Sequence, residues 1–342
     1  MTADTLGGVW TYAVELASAL EPHGFEVVLA AMGGPASADR RAQLPGNVYL
    51  VESDFRLEWM QDPWNDVRRA GDWLLELQAR WRPAVVHLNG YAHGDLPWNA
   101  PVVIVGHSCV LSWWEAVHGE SVPAEWDEYR ERVRRGLRAA DAVVAPSHAM
   151  LAALKRLYGP FRDALVIPNG RNGPRFRAGV KEALVVAAGR LWDQAKNTAA
   201  LAEIAPRLAW PVRIVGQTSE ASDAGRLSEP QIAELLAKAS IYALPARYEP
   251  FGLSVLEAAL SGCALVLGDI PSLRENWDGA ALFVNPEDRT GLERAISHFI
   301  ENESERRRMA SEAYARARTF TPERMARQYL EIYSMAGQAA CA

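Results

Sequence analysis

Short apolar runs alternate with stretches of helical period from one end of the chain to the other. That rhythm predicts a parallel sheet with helices on both faces. In the first half, Phe25 to Ala30, Val85 to Leu88, Val102 to Val105 and Ala142 to Ala145 predict buried strands, each followed by turn residues and a periodic segment. The rhythm restarts at Ala183 to Ala188 and continues through Val212 to Val215, Ile241 to Leu244, Ala264 to Leu267 and Ala281 to Val284. Between the halves, Ile167 to Arg177 is rich in Pro, Asn, Gly and Arg, which suits a linker at a cleft. Only Met1 to Asp4 precede Gly7 and Gly8, so the strand expected there is very short or the sequence starts late. At the far end, Met325, Tyr329, Ile332 and Tyr333 form one apolar stripe over Pro322 to Met335, a helix suited to packing back onto the first half.

The pattern therefore predicts two Rossmann-like α/β domains, residues 1–171 and 172–320, with residues 321–342 as a helix returning to the first. A length of 342 residues suits two cores, and 49% hydrophobic with 23% charged residues is ordinary for a folded chain. The formal net charge of -6 argues against a general nucleic-acid binder, which needs a basic surface to displace counterions. Cys109, Cys263 and Cys341 show no metal or disulfide spacing, which fits a reducing, cytoplasmic setting. No secretory leader and no run of membrane-spanning length is evident. Nine of the twelve tryptophans lie between Trp10 and Trp126; most read as packing, with a few available as stacking platforms for a sugar.

In an open parallel sheet, ligands bind beyond the carboxyl ends of the strands. Four loops there carry candidate chemistry. Gly7 and Gly8 precede a periodic helix, Val9 to Leu20, whose free amides and dipole suit a phosphate, although an ordinary strand-to-helix turn explains the pair as well. Arg190, in Gly189-Arg190-Leu191, and Lys196 put two cations in one loop, able to neutralise a diphosphate or simply solvated. The segment Arg247-Tyr248-Glu249-Pro250-Phe251-Gly252-Leu253-Ser254-Val255-Leu256-Glu257 sets two carboxylates eight residues apart across a loop and a helix start. One carboxylate can sit at the loop tip and the other point from the helix, with the amides of Phe251, Gly252 and Leu253 aimed at an anion and the carboxylates free to accept from vicinal hydroxyls. The competing structural reading makes Glu249 a turn cap and Glu257 a solvated helix residue. His107, after an apolar strand, is ambiguous by itself, and His87, His93, His118 and His148 read as structural or surface residues.

The Glu249-to-Glu257 segment resembles the paired-glutamate motif of glycosyltransferase family 4, retaining enzymes of GT-B architecture with two Rossmann-like domains facing a central cleft. Gly7-Gly8, His107, Ala145-Pro146-Ser147, Ile167-Pro168-Asn169-Gly170, and Gly189-Arg190-Leu191 with Lys196 follow in the family's order, so the resemblance covers essentially the whole chain. It implies that Arg190 and Lys196 hold the donor diphosphate, Glu249 the transferred sugar and Glu257 the ribose hydroxyls. It further implies that the amides of Phe251, Gly252 and Leu253 complete the donor contacts, with His107 near the sugar and Gly8 near the phosphate. No metal and no cofactor is expected, because two cations do the work of a divalent ion. The expected partners are a nucleotide-sugar donor and a carbohydrate or glycolipid acceptor.

Two departures stand out. Lys196 falls six residues after Arg190, one more than is common in the family, with Asn197 where Gly is frequent. Gly216-Gln217-Thr218 keeps only the first glycine of the usual Gly-x-Gly, which affects base recognition. The rivals are a nicotinamide-dependent sugar oxidoreductase or epimerase, against which the incomplete Gly-x-Gly-x-x-Gly at Asp4 to Trp10 speaks, and a non-catalytic nucleotide-sugar binder. Arg130, Arg132, Arg134, Arg135 and Arg138 lie on one expected helix, interleaved with Glu125, Asp127, Glu128 and Glu131. A solvated, salt-bridged face is the preferred reading and peripheral contact with the inner membrane face the alternative. Donor base, donor sugar and acceptor are not legible in the sequence.

Overall fold

A computed structural model describes residues 1–216 and 227–339. The chain forms two compact units, one of Met1–Gly170 with the segment from Pro322, the other of Arg171–Thr321.

The first unit contains β1 (Thr2–Asp4), β2 (Val27–Met32), β3 (Val48–Glu52), β4 (Val86–Leu88), β5 (Val102–Val105), β6 (Ala142–Ala145) and β7 (Ala164–Val166). They form two parallel sheets, ordered β1-β2-β3 and β4-β5-β6-β7. Asn89 joins them where β1 meets β4: its backbone N–H donates to Thr2 Oγ1 at 2.8 Å and its Nδ2 to the Thr2 carbonyl at 2.7 Å. The chain thus winds one way from β1 to β3 and the other way from β4 to β7. The central strands β5 and β6 are buried throughout, which explains their unbroken apolar runs. The strand before Gly7 is the three-residue β1, paired with Ala30–Met32. That pairing draws β2 on to Met32, two residues past its expected end. Its start is delayed by a 3-10 turn, Glu21–His23, closed by Gly24 at φ 76°.

The helix Pro322–Ala339 packs on the helix Gly8–Leu20. Met325, Tyr329, Ile332 and Tyr333 share a core with Trp10, Tyr12, Leu16 and Val105, so the predicted stripe is the buried face.

The second unit carries β8 (Glu182–Ala188), β9 (Val212–Val215), β10 (Ala239–Leu244), β11 (Ala264–Gly268) and β12 (Leu282–Val284) in one parallel sheet ordered β12-β11-β10-β8-β9. All six residues of β10 are buried. Each Leu, Ile or Val removed from water in such a strand contributes roughly 1.5–3 kcal/mol, so the paired apolar runs hold the sheet. Because β8 lies between β9 and β10, the winding direction reverses at β8/β10. Strand ends are open to ligands at such reversals.

Candidate active site

The loops leaving β8 and β10 meet at that reversal. After β8, Asp193 accepts from the backbone N–H of Ala195 at 3.0 Å and opens a 3-10 turn, Gln194–Lys196. Asn197 follows in the left-handed region at φ 53°, where Asn is tolerated among non-glycine residues. Its Nδ2 donates to the carbonyls of Pro245 at 3.0 Å and Pro286 at 2.8 Å, tying the loop to those after β10 and β12. Arg247 adds a backbone bond to the Ala195 carbonyl at 2.8 Å.

This stitching brings Lys196 Nζ to 2.6 Å from Glu249 Oε2, with both side chains 13% exposed. Glu249 Oε1 accepts from the Gly252 amide at 2.9 Å, with the Phe251 amide at 3.5 Å. The amides were expected to face an anion together; instead the Glu249 carboxylate takes that of Gly252, and only Leu253 N–H has no partner among the described residues. Glu249 therefore caps the Leu253–Leu260 helix as well as pairing with Lys196. Gly252 itself, at φ 91° in the left-handed region, is the residue from which the helix starts. Below the pair, the buried Tyr242 hydroxyl lies 3.1 Å from the Ala188 carbonyl and 2.8 Å from Ser254 Oγ. Burial drives its pKa up, so it stays protonated.

Arg190 engages its own loop, donating to Asp193 Oδ2 at 2.8 Å, with the guanidinium 5.3 Å from the Trp192 ring centroid and the side chain 38% exposed. It makes no ion pair with Glu249 among the described residues. Glu257, expected as an open helix carboxylate, is 14% exposed and held by Arg171 Nε at 2.8 Å. Gly216, at φ 146°, packs so closely on the Gly189 carbonyl that a Cβ would come within 1.6 Å of that oxygen. Close packing of two strand ends thus accounts for this glycine. Gln217 and Thr218 lie outside the described residues.

In the first unit, Asp4 Oδ1 accepts from the amides of Leu6 at 3.0 Å and Gly7 at 2.8 Å, fixing the turn into the Gly8–Leu20 helix. That helix carries no acidic residue in its own first turn, so Asp4 is the carboxylate that meets its positive end. His107, after β5, has Nε2 2.8 Å from Asn89 Oδ1 and its ring 4.4 Å from Tyr12 in an edge-on contact. Burial pushes the imidazole down to about 3, so the ring is neutral. Asn89 Oδ1 can only accept, which places the proton on Nε2 and leaves Nδ1 an acceptor. His87 is buried and bonded to Tyr333 Oη at 2.7 Å, a structural contact.

The family model described as Glycosyltransferase Family 4 matches residues 6–172, and that of the glycosyl transferases group 1 matches residues 222–316. The chain belongs to glycosyltransferase family 4. It is 26% identical over 367 aligned residues to a glycogen synthase of Mycobacterium tuberculosis, spanning 91% of this chain and 86% of that protein. Among solved structures, sucrose-phosphate synthase from Thermosynechococcus elongatus aligns with a TM-score of 0.82 at 18% identity, over 96% of this chain and 93% of the other. The HepE protein of Anabaena, in complex with UDP and glucose, aligns at 0.71 and 17% identity over 97% and 99%. These likenesses show the GT-B fold.

Within this family 4 glycosyltransferase, the basic helix Asp127–Ala139 is a salt-bridged face: Arg130 pairs with Asp127 at 2.9 Å, Arg132 with Glu128 at 2.8 Å, Arg134 with Glu131 at 3.0 Å and Arg135 with Asp95 at 3.4 Å. No helix among the described residues is long and apolar enough to cross a membrane. Cys109 and Cys263 are buried thiols, and Cys341 lies outside the described residues. The residues that sequence reasoning missed are Asn89, Asp193 and Arg171. Asn89 and Asp193 sit just past strand ends, a positional signal available in the sequence; Arg171, inside the linker, had none.

Proposed function

We propose that this glycosyltransferase retains anomeric configuration, needs no metal ion, and moves a hexosyl unit from a nucleoside diphosphate sugar to a hydroxyl of a carbohydrate or glycolipid acceptor. The observation that carries the reading is the Lys196–Glu249 pair, 2.6 Å apart where the sheet reverses direction. It sets an ammonium and a carboxylate at one point, matching a departing phosphate and a sugar hydroxyl respectively.

In this reading the donor diphosphate lies against Lys196 and the half-exposed Arg190, with the unpartnered Leu253 amide and the helix dipole behind it. Glu249 accepts from the transferred sugar's hydroxyls, and Glu257 accepts from the ribose. Neutral His107 offers Nδ1 to a sugar hydroxyl rather than a positive charge to the phosphate. The Gly8 amide supplies a further anion contact, that of Gly7 being taken by Asp4 Oδ1. The reaction proceeds on one face: the acceptor oxygen bonds to the anomeric carbon as the bond to the phosphate oxygen breaks, and the acceptor's proton passes to the departing diphosphate. Lys196 and Arg190 stabilise the charge that grows on the leaving group, which is where a rate gain arises. Buried thiols at Cys109 and Cys263 fit a reducing, cytoplasmic setting.

A thermal-shift panel of UDP, GDP, ADP and their sugars identifies the donor, since a ligand at a hundred times its Kd adds about 2.7 kcal/mol of stability. Transfer from that donor is then followed by NMR of the product with and without EDTA. Retained configuration and an EDTA-insensitive rate are expected. Inversion, or a rate abolished by the chelator, overturns the proposal, and a trapped covalent glycosyl-enzyme adduct overturns the single-face route.

A further inference from the structure

Arg171 opens the second unit, and its side chain is 3% exposed. Its Nε donates to Glu257 Oε1 at 2.8 Å and its Nη2 to Glu229 Oε2 at 2.7 Å. The guanidinium lies 4.8 Å from the centroid of the Phe176 ring, and the backbone N–H donates to the Phe320 carbonyl at 3.1 Å. The two carboxylates come from different elements: Glu257 from the Leu253–Leu260 helix, Glu229 from the first position of the Glu229–Lys238 helix. Glu229 also receives Arg175 Nη1 at 3.1 Å. Burial raises the Glu229 carboxyl, but the two arginines outweigh that effect and hold it below the ordinary range.

A buried ion pair is poor evidence of stabilisation, because desolvating the charges offsets much of their attraction. What a planar guanidinium divided between two carboxylates does supply is geometry: each bonded oxygen is fixed in direction. Lysine, with one small ammonium on a flexible stem, cannot reproduce that fork.

Resting on the assignment of Glu257 to the ribose, we propose that Arg171 is the positioning residue of the nucleoside end of the donor site. It holds the Glu257 carboxylate aimed at the ribose hydroxyls, and through Glu229 it anchors the head of the neighbouring helix to the same point. Recognition of a ribonucleotide over its deoxy counterpart therefore depends on a residue that need not touch the donor.

The test measures Kd by calorimetry for UDP, GDP and ADP and for their 2′,3′-dideoxy counterparts, on the full chain and on Arg171→Lys, Arg171→Met, Glu229→Gln and Glu257→Gln. For the nucleotide that the unaltered protein binds best, loss of the hydroxyls should weaken binding about tenfold or more, the worth of hydrogen bonds to a charged group. Glu257→Gln and Arg171→Met should each collapse that ratio, and Arg171→Lys should reduce it while keeping the positive charge and the fold. If Glu257→Gln collapses the ratio and neither Arg171 variant moves it, Arg171 is a brace between helices and the proposal fails while the ribose assignment stands. If Glu257→Gln leaves the ratio intact, the ribose assignment itself is wrong and the proposal falls with it. Should Arg171→Met not fold, the lysine variant and Glu229→Gln decide: a lowered Tm with an unchanged ratio overturns the idea, and a lowered ratio supports it.

Discussion

Asn197 offers the sharpest check on how the site loop is held. Its side chain is buried, its backbone lies at φ 53°, and its Nδ2 donates to the carbonyls of Pro245 and Pro286. Replacement by alanine removes two hydrogen bonds at about 1 kcal/mol each. It also puts a β-carbon residue without a compensating polar group in the left-handed region, costing roughly a further 1–2 kcal/mol. The total is about 3–4 kcal/mol, or a fall in Tm of roughly 6–16 °C for a unit of this size. Glycine loses the same two bonds but fits the backbone without strain. Part of that relief is offset by the greater freedom of glycine in the unfolded chain, so Asn197→Gly should cost about 2 kcal/mol. The order native, glycine, alanine is thus fixed by two separable effects. Differential scanning calorimetry on the three proteins measures it. If the alanine variant proves as stable as the glycine variant, the backbone conformation is not the constraint argued here; if glycine equals native, the two side-chain bonds contribute nothing. Because Lys196 immediately precedes Asn197, both variants should also lose much of the Tm gain given by the stabilising nucleotide sugar.

Lys196→Ala should lower kcat about 100-fold or more, the usual cost of deleting one donor aimed at developing charge, while KM for the acceptor moves little; a steady-state rate within a few-fold of native would place the charge stabilisation elsewhere. His107 titrates at about 3 in the folded protein against an ordinary 6.5, so the unfolded chain binds the proton more tightly between those values. Its contribution to stability is therefore complete above about pH 6.5 and declines as the pH falls toward 3, and in His107→Gln a Tm-against-pH curve should be flatter over that window than in the native protein. Gly216→Ala would drive a Cβ to 1.6 Å from the Gly189 carbonyl at a φ of 146°; a markedly lowered Tm with loss of nucleotide-sugar binding is expected, and native behaviour in both would show that the β8 and β9 ends are not packed as described.

The reach of the sequence depended on whether a residue's environment was written in its neighbours. The strands β5 and β6 carry unbroken apolar runs, and their ends coincide with the reading from pattern alone, as do those of β9 despite Arg213 within it. The strands β3 and β7 lie at sheet edges, where their residues are only partly covered; β7 spans three residues and β3 ends on Glu52, so their short apolar stretches stand out less than the buried runs. The same logic applies to the site. Arg190, Lys196, Glu249 and Glu257 stand out because charge directly after a buried strand, or at a helix start beside Pro and Gly, is conspicuous in one dimension. Asn197 and Arg171 act through partners 48 to 89 positions away, and pairwise geometry of that kind leaves no local trace.

Glu249 shows why the two readings of its motif were never true rivals. One oxygen caps the Leu253–Leu260 helix through Gly252, and the other meets Lys196. A carboxylate held from both sides has its direction fixed before a sugar arrives, so a hydroxyl that donates to it has only to add to or exchange with bonds already aimed at the same point. The structural cap is thus a source of preorganisation, the condition under which a charged group contributes most to a reaction. It follows that Glu249→Gln, which keeps the cap acceptor but gives up the charge facing Lys196, should retain much of the fold while losing turnover. Glu249→Ala should lose both, and a comparison of Tm with kcat for the two variants separates the cap from the chemistry.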